Sequence, residues 1–132
     1  MPIFYTPKYA EEILPDVKET VQRIMRIKTE ADGAKDDKEM AEAMKRLEGE
    51  VRKLEEWGCV LRDMSLGLVD FPAVRLGERV WLCWKVGEDH VGFWHTRHEG
   101  YASRKPIEGK EFYDDDLAIR SLNREVVSKA HP

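Results

Sequence analysis

GCVLRDMSLGLVDFPAVRLGERVWLCWKVGEDHVGFWHTRHEGYASRKPI, residues 58–107, is where the chain changes its hydrophobic period, and its reading decides the fold. It holds both cysteines, three of the four tryptophans and three of the four histidines, so any site is expected here. Residues 79–86 and 91–96 read as strands around Gly87-Glu88-Asp89-His90, a hairpin turn. With Glu88 and Asp89 as the loop, Val86 faces Val91, Trp84 faces Phe93 and Leu82 faces His95 on one side. On the other side Lys85 meets Gly92, Cys83 meets Trp94 and Trp81 meets Thr96. Apolar residues then occupy both faces, so both need cover. A slip of one residue would exchange the faces. Upstream, 59–61 reads as a short strand ending at Arg62-Asp63, and 64–72 as a loop punctuated by Gly67 and Pro72.

Outward from this block, the N-terminal part has a helical period. Thr6 followed by Pro7 is a helix start, a hydroxyl cap before a residue with no N–H to satisfy. Ile13, Val17, Val21, Ile24 and Ile27 recur on one face. Pro15 inside this pattern predicts a kink or a division. Residues 29–38 have no apolar period and form the turn, with Asp36 or Asp37 as the second cap. Met40, Met44, Leu47, Val51 and Leu54 mark a second helix that stops at Gly58. Pairs such as Glu48–Arg52 support its solvated face. Two striped helices with a short connection predict an antiparallel hairpin over 7–57. The 58–107 block supplies the sheet. Over 108–132, Asp114 to Asp116 can cap a last helix carrying Leu117, Leu122, Val126 and Val127. The expected fold class is α+β, in one domain of 132 residues.

Composition narrows the classes. The chain is 42% hydrophobic and 36% charged, as in a globular protein with charge-rich helices. No apolar run approaches the roughly 18 residues that span a bilayer. A net charge of −4 gives no general pull toward nucleic acid or anionic lipid. The opening MPIFYTPKYAEE lacks the pattern of a signal peptide, which gives the expectation of a cytoplasmic protein. Cys59 and Cys83 are then expected as buried thiols. Gln22 and Asn123 are the sole amides beside 22 basic and 26 acidic residues, a balance that suggests a thermophilic source.

Two sequence blocks carry a resemblance. The first is Tyr5-Thr6 with Ala10, Leu14 and Pro15, in which Tyr9 stands where an acidic residue is usual. The second contains Gly58, Asp63, Gly67, Val69-Asp70-Phe71-Pro72, Gly77, Leu82-Cys83-Trp84, Gly87-Glu88, Trp94-His95, Gly100, Arg104 and Pro106. His98 departs from an acidic position. The chain resembles the prokaryotic family known as domain of unknown function 2203 over residues 4–107, with the tail from Glu108 as an extension. No established activity comes with the likeness. It implies that these polar residues form a shared local arrangement.

The residues themselves offer several chemistries. His95, His98 and Glu99 are ligand types for zinc or another divalent metal, provided the chain turns at Arg97. The bland alternative is a solvated His98 and a core-edge His95 bonded to a carbonyl. Asp70 before Phe71-Pro72 is either a buried carboxylate holding Arg104 or His95, or a turn aspartate, and Asp63 is its counterpart before Gly67. Gly100, Ser103, Arg104 and Lys105 form a loop for a phosphate or carboxylate, or else bridge to Glu88, Glu99 or Asp70. Trp81, Trp84 and Trp94 are a stacking platform, or else core or dimer packing. The leading expectation is a non-catalytic homodimeric binding or assembly protein. Its polar pocket centres on Asp70, His95 and Arg104, with Trp84, Asp63 and Glu88 nearby, and either fixes the loop or holds a small anionic ligand. The alternative is a metal-dependent enzyme, a hydrolase, using His95 and His98 with a carboxylate. Dimerisation is expected from the helical stripe and a Trp81/Trp94 face.

Overall fold

The computed structural model describes residues 4–108 and 111–112. Helices α1 (Pro7–Asp32) and α2 (Asp37–Glu56) come first. Five strands follow: β1 (Val60–Asp63), β2 (Leu68–Arg75), β3 (Glu78–Lys85), β4 (Phe93–Thr96) and β5 (Lys105–Pro106). Each strand pairs antiparallel with its successor, giving one sheet in the order β1-β2-β3-β4-β5. The architecture is α+β. The C-terminal helix expected over 108–132 lies outside the described residues.

Local chemistry sets the helix ends. The Thr6 hydroxyl accepts from the Tyr9 amide at 3.1 Å, and the Asp36 carboxylate accepts from the Glu39 amide at 2.8 Å. Helix α2 ends as the Gly58 amide donates to the Glu55 carbonyl and the Cys59 amide to the Leu54 carbonyl, the paired bonds of a Schellman closure. Pro15 does not divide α1. It is exposed, so only the solvent side loses a bond, at a cost of about 3 kcal/mol. Continuing the helix buries Leu14, Val17, Val21 and Ile24, each worth roughly 1.5–3 kcal/mol. Burial wins.

Helix α1 lies on the sheet and α2 leans on α1 and β1. One sheet face closes against the helices. Val69, Phe71 and Ala73 of β2, Val80, Leu82 and Trp84 of β3 and Trp94 of β4 belong to that core. Strand β2 runs through Pro72, which the sequence placed in a loop. The Pro72 carbonyl accepts from the Tyr5 amide at 2.7 Å, so this residue's polar edge points away from β3. Its missing N–H therefore removes no bond from the β2–β3 ladder.

The β3–β4 register differs by one residue from the expected one. Trp81 pairs with His95, Leu82 with Trp94 and Cys83 with Phe93. The connection occupies 86–92, because other bonds claim its residues. Glu88 accepts from the Trp84 indole through its carbonyl and from the Lys85 amide through its carboxylate, each at 2.9 Å. Val86 donates to Gly67, and Glu11 of α1 accepts the Val91 amide at 2.5 Å. The slip exchanges the faces. Trp94 turns into the core, and His95 joins Trp81 and Cys83 on the face away from the helices. Trp81 and Trp94 therefore do not share a face.

Candidate functional site

The sheet face away from the helices carries Arg62, Asp70, Trp81, Cys83, Phe93 and His95. Asp70 and His95 are nearly fully buried, at 1% and 3% exposure, so their polar atoms need partners. The Asp70 carboxylate accepts from Arg62 Nε at 2.8 Å. His95 Nε2 lies 3.0 Å from both Asp70 oxygens, and His95 Nδ1 lies 2.9 Å from the Thr96 carbonyl. Both ring nitrogens face acceptors, so the ring meets both only as a double donor. The three residues brace β1, β2 and β4 across β3. The Arg62 guanidinium also lies 4.8 Å from the Trp81 ring centroid.

Cys83 stands opposite Asp70 in the β2–β3 register. Asp70, Cys83 and His95 offer ligand atoms within 4.8 Å of one another, and this is the group of metal-ligating types found among the described residues. His98 and Glu99 are exposed and lie outside it. Burial, with the Asp70 charge beside it, pushes the Cys83 thiol up to about 12 against the opposing pull of Arg104. Burial alone raises Cys59 likewise to about 12. Neither thiol is poised as a nucleophile.

Arg104 makes the bridge to Glu88 that was among those expected of its loop, and not the expected contact with Asp70. Its guanidinium grips Glu88 with two bonds, at 3.0 and 2.5 Å, and Nη1 lies 3.9 Å from Cys83 Sγ. The rings of Phe93 and Tyr101 flank it at 3.9 and 4.5 Å. Burial opposes its charge, yet Glu88 more than offsets this and holds its proton more firmly. Arg104 thus meets Asp70 only through Cys83, and Arg62 takes the place beside the carboxylate. The bridge to Glu88 uses up the loop cation that an anion would need. Trp84 is core, on the opposite face. The Asp63 carboxylate accepts from the Ser65 and Leu66 amides, the turn role.

A cavity of about 280 Å³ opens above the brace. Asp70 and His95 form its floor, Trp81 and Tyr101 give aromatic walls, and Arg62, Arg97, His98 and Glu99 line its sides. Glu99 is held by the Thr96 hydroxyl at 2.8 Å. Among the described residues Arg97 has no hydrogen bond or ion pair. Arg62, Arg97 and Tyr101 were not singled out from the sequence. No local signal marks Arg62, because the β1–β2 register shifts between Leu61 and Asp63 and interrupts the alternation there.

Among the described residues no helix is long and apolar enough to cross a membrane. No curated protein and no solved structure matches the chain. A family model does: the one described as Uncharacterized conserved protein (DUF2203) matches residues 3–107.

Proposed function

Because this chain belongs to the uncharacterised DUF2203 family, no activity is inherited, and we propose from the geometry that it is a non-catalytic binding protein. The ligand is a small molecule with a planar polar body, seated between Trp81 and Tyr101 over Asp70 and His95. One observation carries the reading. A charged brace that is already satisfied forms the base of an open cavity, so the cavity's shape is set before any ligand arrives. The mixture of aromatic walls and a few fixed polar groups is what small-molecule sites use. A second copy of the chain and a cytoplasmic setting belong to the same proposal. Exposed methionines on α2 support the first and two unpaired, buried cysteines the second.

The test is chemical-shift mapping with nicotinamide, benzoate and imidazole as probes. The expected shifts converge on Trp81, His95 and Tyr101. Shifts spread evenly over α1 and α2 would sink the reading.

A metal-dependent alternative has one observation in its favour, the Asp70, Cys83 and His95 group. It requires the Asp70–His95 bond to open and the thiol to ionise, next to the cations of Arg62 and Arg104. Elemental analysis of untagged protein decides between the two. Near-stoichiometric zinc would replace the brace by a metal centre.

A further inference from the structure

A second cavity, of about 310 Å³, adjoins the first and is lined by Phe4, Arg62, Pro72, Arg79, Val80, Trp81 and Arg97. Arg62, Trp81 and Arg97 line both. Three guanidiniums meet here and no carboxylate is among the lining residues. The chain as a whole carries a charge of −4, so this is a local reversal of sign. Among the described residues Arg62 is the sole member of the three with an ion pair, and it commits Nε to Asp70. Arg79 rests on the Phe4 ring at 5.4 Å, and Arg97 is unpaired among the described residues. A solvated cluster of like charges costs free energy unless something offsets it. Arginines contributed by β1, by β3 and by the segment after β4 do not meet through local spacing. The sheet register brings them together.

Resting on the binding reading above, we infer that the ligand is a small organic phosphate. Its planar body lies over Asp70 and His95, and its phosphate lies in the cradle of Arg62, Arg79 and Arg97. The chemistry fits each part. Guanidinium forks bond phosphate oxygens in pairs. Trp81 stands at the ridge between the two cavities and offers its ring to the body. With Arg62 already bonded to Asp70, a monoanionic carboxylate would leave one guanidinium without a partner, so a group of higher charge suits the cradle better. A divalent cation is excluded by the same three charges.

Titration calorimetry with adenosine 5′-monophosphate and with adenosine tests this. The phosphate compound is expected to bind at least about tenfold more tightly, because the nucleoside cannot form the charge-assisted bonds to the cradle. Arg79→Gln and Arg97→Gln both alter exposed side chains that carry no ion pair among the described residues, so folding should survive. Each is expected to remove most of that tenfold advantage, and in Arg79→Gln, whose side chain does not line the first cavity, nicotinamide still shifts Trp81 and Tyr101. Equal affinities for the two compounds, or an advantage intact in both variants, would overturn the inference. If neither adenosine compound binds while nicotinamide still maps to the first cavity, the phosphate inference falls and the binding reading stands. If nicotinamide also fails to map there, both fall.

Discussion

A buried carboxylate decides the residue scale. Asp70 at 1% exposure is tolerable only because Arg62 and His95 both donate to it. Truncating either donor leaves part of that charge unanswered in a dry setting. His95→Ala is therefore expected to lower unfolding free energy by about 2–4 kcal/mol, near the range for breaking a buried pair. Urea denaturation at neutral pH measures it, and a change below about 0.5 kcal/mol, the size of an ordinary surface effect, would deny the brace. Much of this was legible in the sequence. The density of Asp70, His95 and Arg104 in one block pointed to a polar cluster, and the Asp70–His95 contact followed. The partner cation did not. Arg62 and Arg104 are chemically alike, and nothing local says which reaches Asp70. That choice depends on where β1 and the 101–104 turn lie across the sheet. A bidentate grip by Glu88 removes Arg104 from the competition.

Among the elements, the β3–β4 connection carries the lesson that turn chemistry alone misses. Gly87-Glu88-Asp89-His90 has the composition of a tight hairpin turn, and from it the register came out one residue off. Tertiary bonds to Glu11 and Gly67 lengthen the loop, and no local pattern reports them. Helix ends were more legible, since Thr6, Asp36 and Gly58 act within one turn of themselves. Gly67 links the two kinds of control. Its backbone sits at φ 64°, and a Cβ there would lie 2.4 Å from Val86 Cγ2 and 3.0 Å from Met25 Sδ. Gly77 has a similar φ of 83° but open space around it. Gly77→Ala should thus cost only the backbone strain, about 1 kcal/mol. Gly67→Ala adds overpacking of the sheet end against α1, for a total of about 2–4 kcal/mol. Thermal melts of the two variants side by side check this, at about 3–5 °C per kcal/mol for a chain of 132 residues. Equal melting points would mean that the Val86 contact relaxes freely.

At the scale of the whole molecule, the hairpin is longer than the sheet it covers. Helix α1 has 26 residues and β3 has 8. At about 1.5 Å and 3.3 Å per residue these span roughly 39 and 26 Å, a mismatch of about two helical turns. The 4-3-4-3 stripe of α2 shows the consequence. Leu47 and Leu54 are buried, while Met40 and Met44, nearer the connecting turn, stay 40% and 43% exposed. The stripe was legible from spacing, but which part of it one subunit could fill was not, because that depends on the sheet's reach. The outer sheet face, expected as the other dimer surface, is occupied by the charged brace and the two cavities, so the methionines are the better candidate. Polar residues rim them, including the Glu30–Arg46 pair that ties the helices at 2.6 Å, as at the edge of a protein interface. A second copy laid against this end would bury the methionines of both chains in a self-complementary contact. Light scattering at micromolar concentration should then give about twice 15.4 kDa. The double variant Met40→Lys, Met44→Lys should run as a monomer with unchanged helical content, since both sites are exposed and lysine is a good helix former. A wild-type mass near 15.4 kDa rules the dimer out. A dimer that survives the double substitution places the contact elsewhere on the surface.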